Sequence, residues 1–301
     1  MSTSDLIPID VRARLKALRL QARRISGAQG IGQHQSRSRG AGLEFAQYRA
    51  YEPGDEPRQI DWKLYARSDK FFVREAERDS PLVVWCLIDA TASMAQSDAA
   101  RPKYSRLHAA KALTACVIEL ALKQGDRFGL IAVNDSGLVV VNAGSGTKHR
   151  DQCLLELHKL KAQGAWPGEA QCRPIWERIA ANTLVLLLSD DYDDACVSLA
   201  ERLAVARREV LSIQILTAEE RDFPFQGGHR FRDAETDTEL LTDAAASRTG
   251  FIEQFSSARR TLSSRFAASG INHIEYVLDQ PLDTPLRRFF LPRNTRHQES
   301  V

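Results

Sequence analysis

The sequence lacks the features that define membrane, disulfide-rich and zinc-binding proteins. No stretch of its 301 residues approaches the roughly 18 consecutive apolar residues that a membrane-spanning helix needs, and the first six residues contain no apolar signal core. The five cysteines are odd in number, widely spaced and without a C-x-x-C pair, which argues against a disulfide framework or a thiolate zinc site. We therefore expect a cytoplasmic protein with reduced cysteines and no membrane span.

Two common enzyme motifs are also missing. The sequence contains no G-x-S-x-G nucleophile motif and no G-x-x-x-x-G-K-[ST] phosphate-binding loop. The glycine-rich run 144–148 lacks the spacing of such a loop and is typical of a surface turn. The sequence therefore gives no sign of nucleotide hydrolysis or acyl transfer, and a binding function is favoured.

Basic residues are concentrated near the N-terminus, although the net charge is only +2. Residues 1–40 carry eight Arg and Lys against two Asp. Such an arm is typical of a solvated segment, and the alternative is electrostatic docking on an acidic partner or an anionic membrane surface. A nucleic-acid binder would show a steep salt dependence of binding. The small net charge and the lack of an aromatic-basic stripe argue against that class.

Alternating patterns from residue 82 onward predict the fold. Apolar runs typical of buried strands alternate with helical periodicity, and a short turn at 135–137 indicates a hairpin with one antiparallel edge strand. Strands are predicted at 82–89, 127–134, 138–142, 183–189, 210–216 and 271–278, and helices near 104–123, 151–162, 172–181, 194–208 and 243–268. This order predicts an α/β protein with a doubly wound, mostly parallel sheet and helices on both faces. A basic amphipathic helix is predicted at 8–26.

The most informative motif lies where the first of these strands ends. The apolar run 82–88 leads directly into Asp89, Thr91 and Ser93, a D-x-T-x-S loop, and the strand 183–189 ends at Asp190. Because ligands of open α/β sheets bind outside the carboxyl ends of the strands, we expect these four side chains to share one pocket. Carboxylate and hydroxyl oxygens suit Mg²⁺ or Mn²⁺. A helix that starts soon after Ser93 would also direct its N–H groups at the site.

The same residues have two other interpretations. Asp, Ser and Thr are common where strands give way to helices, because they cap helices and form turns. Two carboxylates on a metal can also activate water, which would make the protein a divalent-metal-dependent hydrolase. No histidine lies near Asp89 or Asp190 in sequence to assist that chemistry.

The segment before these strands resembles the signature of the DUF58 family. The resemblance rests on the stretches 36–45 and 48–63, which include E-F, Y-R-A-Y, P-G-D and R-Q-I-D-W, and on the A-R and V-R-E steps at 66–67 and 73–75. Residues 231–241 are similar to a D-x-E-T hairpin of the family. The similarity extends over essentially the whole chain and is specific to this family.

The resemblance implies a von Willebrand factor A-like fold and a partnership with MoxR-type AAA+ ATPases and other von Willebrand A-domain proteins. It implies a metal-ion-dependent adhesion-like site at Asp89, Thr91, Ser93 and Asp190. Thr91 stands where the family loop often has Ser, and both residues offer one hydroxyl. A complete site also uses a Thr from a third loop, and the expected region 165–172 has none. Either Glu169 supplies that oxygen or the site is incomplete.

The sequence patterns and the family resemblance together predict three regions. Residues 1–40 form the basic helix and loop, residues 41–80 the family signature segment packed on the core, and residues 81–301 the von Willebrand A-like domain with a hairpin insertion near 229–242. Aromatic and charged residues of the signature segment either clasp it to the core or form a partner surface. Its predicted partner-binding residues are Arg49, Tyr51, Asp55, Arg58, Asp61, Trp62 and Arg67. The resulting hypothesis is a non-catalytic adaptor of a MoxR-type ATPase, with the hydrolase as the alternative.

Overall fold

The chain divides into two compact units in the computed structural model, which describes residues 6–22, 45–52, 55, 57–76 and 81–291. The larger unit comprises residues 1–28 and 82–301, and the smaller unit comprises residues 29–81. The N-terminal helix therefore belongs to the same unit as the α/β domain, although 53 residues of the smaller unit separate them in sequence.

The smaller unit is a two-stranded antiparallel sheet with a helical connection. Strand β1 (Phe45–Ala50) pairs with strand β2 (Phe72–Ala76). A 3₁₀ turn (Pro57–Gln59) and helix α2 (Trp62–Ser68) connect them. Asp61 begins the helix as its N-cap, since its Oδ1 accepts hydrogen bonds from the Lys63 and Leu64 amides at 3.0 Å each.

The larger unit alternates strands and helices as the sequence predicts, after a first helix α1 (Ile9–Leu15). Its strands are β3 (Val83–Asp89), β4 (Arg127–Asn134), β5 (Gly137–Gly144), β6 (Leu184–Ser189), β7 (Glu209–Leu216), β8 (Gly228–Arg232), β9 (Glu239–Asp243) and β10 (Asn272–Val277). Its further helices are α3 (Arg106–Gln124), α4 (Thr147–Lys159), α5 (Glu169–Arg178), α6 (Asp194–Val205), α7 (Ala218–Asp222), α8 (Ala244–Ala268) and α9 (Thr284–Phe290). Within the described residues, no helix is long and apolar enough to cross a membrane.

Six strands form the central sheet in the order β10-β7-β6-β3-β4-β5. All pairings are parallel except that of β5 with β4, which confirms the predicted antiparallel edge. From β3 the chain first adds β4 and β5 on one side of the sheet, and it then adds β6, β7 and β10 on the other side. The direction in which strands are added therefore reverses between β3 and β6. This is the topological switch point, where open α/β sheets bind ligands. The von Willebrand A-like, doubly wound fold is thus confirmed.

Both faces of the sheet are covered, and this explains the continuous apolar runs in the sequence. Val84, Cys86 and Ile88 of β3 pack into one core, which includes α3 and α4, and Trp85 and Leu87 pack into the other, which includes α5 and α6. A strand that is covered on both faces needs apolar side chains at every position rather than at alternate ones. All five cysteines of the chain are free and buried.

The N-terminal helix is shorter than predicted and contributes to the core. The structure ends α1 at Leu15, residues 16–22 are not helical, and residues 23–26 of the predicted helix lie outside the described residues. Val11 and Leu15 are buried with side chains of α3 in the core. Arg14 also hydrogen-bonds the buried Asp283. The apolar side of this segment is therefore core structure rather than a solvated arm, because its leucines and valine are withdrawn from water.

Candidate functional site

The D-x-T-x-S loop is a compact hydrogen-bonded turn at the end of β3. Asp89 Oδ1 accepts hydrogen bonds from the Thr91 amide at 2.9 Å and from the Thr91 hydroxyl at 2.7 Å. The Thr91 and Ser93 hydroxyls lie 3.0 Å apart. Asp89 and Thr91 are buried, and Ser93 is half-buried. The side chains of Asp89, Thr91 and Ser93, which the sequence predicts to act together, are therefore in contact.

Strand β6 brings the fourth predicted residue to the same end of the sheet. It pairs in parallel with β3 up to Ile88 and Leu188, so the residues that follow lie beside Asp89. The Ser189 hydroxyl donates to Asp89 Oδ2 at 2.6 Å. Burial, and next the charge of nearby Asp190, raises the pKa of Asp89 to about 7. All four predicted metal-site residues therefore lie at the switch point.

A buried arginine that the sequence did not reveal holds Asp190. Arg106, the first residue of α3, is fully buried, and its Nη1 donates to Asp190 Oδ2 at 2.6 Å. Its Nη2 donates to Glu220 of α7, and its guanidinium lies 5.2 Å from the ring centroid of Tyr192. The Tyr192 hydroxyl donates to Glu220 at 2.8 Å. Arg106 is 84 residues before Asp190 and 114 before Glu220, so no local pattern could indicate this pairing.

The site contains more buried acid than the contacting arginine neutralises. Asp191 is also buried, and its Oδ1 has no hydrogen-bond partner. Burial, followed by the charge of Asp190, raises the pKa of Asp191 to about 7. Together with Asp89, Asp190 and the half-buried Glu220, the region holds four carboxyl groups, and Arg106 pairs with two of them, Asp190 and Glu220. Such an excess disfavours the charged forms and favours a further cation.

A buried chain of polar groups extends from Asp191 to β10. The Ser212 hydroxyl donates to Asp191 Oδ2 at 3.1 Å and lies 3.2 Å from Nδ1 of His273. The His273 Nε2 is buried without a partner. Burial lowers the pKa of His273 to about 4, partly opposed by Glu275. His273 is therefore neutral in the folded protein at pH 7.

We expect His273 to cause a loss of stability in acid. A histidine whose folded pKa lies below its unfolded value of 6.5 binds fewer protons when folded, so stability falls as the pH drops from about 6.5 toward 4. The loss from this residue amounts to at most about 3 kcal/mol. Urea unfolding across this range should show a shallower decline for His273→Gln. The exposed His158 serves as the control, since His158→Gln should leave the decline unchanged.

The structure answers two questions that the sequence leaves open at this site. The segment after the loop is a four-residue 3₁₀ helix (Ala92–Ala95), and the α-helix predicted near 104–123 begins at Arg106, so no α-helix begins directly after Ser93. Glu169 does not supply the missing third-loop oxygen, because it is exposed and pairs with Arg202 of α6. The third loop supports the site through its backbone instead. The Ala92 amide donates to the Gly164 carbonyl at 2.7 Å, and Gly164 adopts a left-handed φ of 65°.

The β8–β9 hairpin brings a further carboxylate that the sequence did not single out. Glu235, at the hairpin turn, lies near the hydroxyls of Thr91 and Ser93. Burial raises the pKa of Glu235 above its usual value, and the nearby Thr91 and Ser93 hydroxyls partly oppose this rise. The sequence predicts the hairpin near 229–242, but nothing in its pattern indicates that its turn lies near the switch point.

The donor atoms of this site fit a hard divalent cation. Within the described part of the chain, no group of three or more His, Cys, Asp or Glu side chains is arranged as a metal site. The oxygens gathered at Asp89, Thr91 and Ser93 are nevertheless those that Mg²⁺ and Mn²⁺ prefer, and the excess of buried acid favours an added cation. Asp190 fits less well as a direct ligand, since Arg106 holds its Oδ2.

Two of the predicted partner-binding residues of the smaller unit, Tyr51 and Trp62, belong to an aromatic cluster. Tyr65 stacks on Phe71 with ring centroids 4.4 Å apart, and Trp62 and Tyr51 contact the same ring at 6.4 and 6.2 Å. Trp62 is 58% exposed.

The charged residues among the predicted partner-binding residues differ in their roles. Asp61 caps α2, and the Asp55 carboxylate accepts from the Glu52 amide at 2.9 Å, so both shape the local backbone. Arg58 and Arg67 are exposed. The Arg49 side chain lies outside the described residues. Trp62, Arg58 and Arg67 are therefore the predicted residues that remain available to a partner.

Comparison with known proteins gives a family and several distant structural likenesses. An uncharacterised protein of Mycobacterium bovis is 27% identical over 243 residues, which cover 78% of this chain and 74% of that protein. An aerotolerance-related membrane protein from Bacteroides fragilis matches with a TM-score of 0.44 and 13% identity, covering 69% of this chain and 96% of that one. The SpRpn10 VWA domain matches with a TM-score of 0.40 and 13% identity, covering 69% and 95%.

The family match is the decisive comparison. The model of the family described as protein of unknown function DUF58 matches residues 47–261. That range includes most of the signature segment, the D-x-T-x-S loop, Asp190 and the β8–β9 hairpin. Because it spans well over half of the sequence, this chain belongs to the DUF58 family.

Proposed function

We propose that this protein is a non-catalytic interaction module that binds a partner protein at the carboxyl end of its sheet. The observation that carries the proposal is the cluster of Asp89, Thr91 and Ser93 oxygens at the switch point, surrounded by an excess of buried acid. Natural proteins keep unneutralised buried charge mainly where function requires it, because it costs stability.

We further propose that the site is adhesion-like and uses Mg²⁺ or Mn²⁺. Asp89, Thr91 and Ser93 would hold the ion, and Asp190 would contribute mainly through its charge. The bound ion would offer a positive charge and an open position for a carboxylate of the partner. The protein's own groups prepare this position: Ser189 orients Asp89, and the Gly164 carbonyl holds the loop backbone.

The proposed partner is a MoxR-type AAA+ ATPase, together with other von Willebrand A-domain proteins, in the assembly or maturation of protein complexes. The resemblance of the signature segment to its family supports this choice. In the smaller unit, exposed Trp62 with Arg58 and Arg67 offers a second contact surface, since Trp and Arg are frequent in interface hot spots. The five free, buried cysteines favour a cytoplasmic setting.

Affinity capture from the native host tests this function. We expect the tagged protein in Mg²⁺ buffer to retain a MoxR-type ATPase, and Asp89→Asn or EDTA to reduce its capture at least tenfold. Asp151→Asn is the matched control, because Asp151 is an exposed residue of α4 whose carboxylate pairs with the neighbouring Arg150. Mass spectrometry of the eluates provides the measurement.

The outcomes separate the parts of the proposal. Equal capture by wild type and Asp89→Asn would place the contact away from the switch point. Absence of any ATPase from all eluates would overturn the partnership. Titration calorimetry with Mg²⁺ alone, on wild type and Asp89→Asn, tests the cofactor independently of any partner.

The alternative function is a divalent-metal-dependent hydrolase that uses the same acids. One observation favours it: the pKa of Asp89, raised to about 7, suits a general base near neutral pH. Against it, Arg106 pairs with Asp190, so the second carboxylate is not available to activate water. Divalent-dependent turnover of phosphoester or ester substrates that Asp89→Asn abolishes would favour the enzyme over the interaction module.

A further inference from the structure

The edge strand β5 lacks the features that usually protect a sheet edge from other chains. Within the part of the chain that the structure describes, β5 pairs with β4 on one side and with no strand on the other. Its eight residues, Gly137–Gly144, include no charged residue and no proline, and three successive valines occupy its middle. Edge strands of natural proteins usually carry lysine, proline or a similar interruption, because their free N–H and C=O groups otherwise accept another strand. The outer side of β5 is therefore able to pair with a further strand.

The opposite edge of the same sheet is protected by charge. Strand β10 carries Glu275 near its middle, and Arg259 of the long helix α8 pairs with that carboxylate. The small β8–β9 hairpin carries charged side chains on both of its strands, namely Arg230, Arg232, Glu239 and Asp243. The uncharged character of β5 is therefore particular to that edge.

The first five residues of β5 form a regular stretch. Residues 137–141 pair with β4 without interruption, and an irregular step follows further along the strand. Leu138 and Val140 pack against one core and Val141 lies in the other, so both faces of the sheet hold the strand in place. Val139, the middle residue of the stretch, is 38% exposed. A strand that is already fixed in this way loses little conformational entropy when another strand is added.

Two exposed side chains of opposite charge lie at the two ends of this edge. Asp135 precedes β5 in the turn, where its carboxylate lies beside Gly164 and accepts from the Ser136 hydroxyl at 3.3 Å. Arg127 begins β4, and its Nη2 donates to the Ala143 carbonyl at 2.8 Å, which holds the guanidinium at the far end of β5. Neither side chain forms an ion pair with a residue that the structure describes. The edge thus has an acid at its beginning and an arginine at its end.

We propose that β5 pairs in antiparallel orientation with β5 of a second copy of this chain, about a two-fold axis near Val139, and so joins two six-stranded sheets into one. Charge complementarity selects this occupant. Antiparallel pairing brings Asp135 of each copy to the end of the strand where Arg127 of the other copy lies, so two favourable contacts form symmetrically. The uncharged middle of the strand meets itself without repulsion. Since charge protects β10, no second edge of the sheet remains, and association stops at two copies.

The dimer goes beyond the proposed function and does not depend on it. Strands β3 and β4 run antiparallel to β5, and the two β5 strands run antiparallel to each other, so the parallel strands of the two copies point in opposite directions. The two switch points therefore lie at opposite ends of the joined sheet. If the proposed function also holds, one dimer binds two partner molecules on opposite sides.

Sedimentation velocity of the purified full chain over a range of concentrations tests the dimer. We expect a monomer–dimer equilibrium with a dissociation constant on the order of 10 µM, since one strand pair makes a small interface. Val139→Lys should raise that constant about tenfold, because two lysines would face each other at the axis. Val205→Lys is the matched control: Val205 is 78% exposed at the end of α6, so this change should leave the constant unaltered.

A charge exchange separates the two-fold pairing from other contacts. Asp135→Lys and Arg127→Glu should each weaken self-association severalfold, because each places like charges at both ends of the pair. An equimolar mixture of the two variants should associate as tightly as wild type, since both opposite-charge contacts return in the mixed dimer. Circular dichroism of each variant checks that it is folded.

Three outcomes would overturn the dimer. Wild type that stays monomeric up to about 100 µM would exclude it and would leave the edge of β5 to an extended segment of another protein. A dimer that Val139→Lys does not weaken, or a mixture that associates no more tightly than either charge variant alone, would place the contact elsewhere. The capture experiment with Asp89→Asn does not depend on any of these results, so the dimer and the proposed function fail separately.

Discussion

Replacing Arg106 by methionine is expected to lower the free energy of unfolding by about 3–5 kcal/mol, the range for breaking a buried ion pair by removing one partner. Methionine fills much of the same volume and suits a helix, so the loss arises from charge rather than from a cavity. Asp190 would remain buried and Glu220 half-buried without their shared cation, in a region where the pKa values of Asp89 and Asp191 are already raised. Urea unfolding of purified protein at pH 7 measures the change.

Two further variants isolate the buried charge as the cause. Arg173→Met removes an arginine that is 81% exposed and pairs with Glu177 one turn along α5, and we expect it to cost no more than about 0.5 kcal/mol. Adding Asp190→Asn to Arg106→Met should recover part of the lost stability, since one uncompensated charge disappears. A loss below about 1 kcal/mol for Arg106→Met would show that water or a bound cation already neutralises these acids.

Replacing Gly129 by valine is expected to destabilise the protein by about 3 kcal/mol, at the upper end for overpacking a core. A Cβ at this position in β4 would lie 2.8 Å from the Val141 carbonyl oxygen and 2.9 Å from the Ala143 amide nitrogen. Both atoms belong to the backbone of β5, which cannot move aside as a side chain does. The Trp85 ring of β3 lies 2.9 Å away on the same side. Valine itself favours strands, so propensity would not explain the loss.

A matched glycine controls for the added methyl group. Gly250 lies inside α8, and a Cβ there would meet no atom within 4 Å. Gly250→Ala should therefore stabilise the protein by up to about 1 kcal/mol, because alanine favours a helix. Gly129→Ala, which adds the same atom, should destabilise it. Thermal unfolding of the two alanine variants gives the comparison, and equal shifts would contradict the close approach of β5 to Gly129.

The sequence gives a local signal for the importance of Gly129 but none for that of Arg106. Gly129 interrupts an otherwise apolar strand, and an isolated glycine in a strand often marks a close approach of another backbone. Which backbone approaches is settled by the pairing of β4 with β5. Arg106 carries no comparable signal. It follows the helix cap Ser105 and looks like an ordinary exposed arginine of a first helical turn until Asp190 and Glu220 are placed beside it.

The position of the site could be predicted because its causes are local. Apolar runs that end in Asp89 and Asp190 define strands with polar carboxyl ends, and alternation of strands and helices implies a sheet whose carboxyl ends meet along one edge. The D-x-T-x-S spacing then brings Thr91 back onto Asp89 within two residues. The third loop was predicted less well, since the sequence offered Glu169 and the structure uses the Gly164 carbonyl.

Local sequence patterns are sufficient to predict the order of strands and helices, the doubly wound sheet and the oxygen cluster at the end of β3, because periodicity, turn residues and strand ends depend on a few neighbouring positions. Which charges lie around that cluster depends instead on how distant segments pack together. Arg106, Glu220 and Glu235 lie near it although they belong to separate elements. Val11 and Leu15 pack into the core although residues 29–81 separate them in sequence from the rest of their unit. Such contacts depend on packing between distant segments, which short-range patterns do not record.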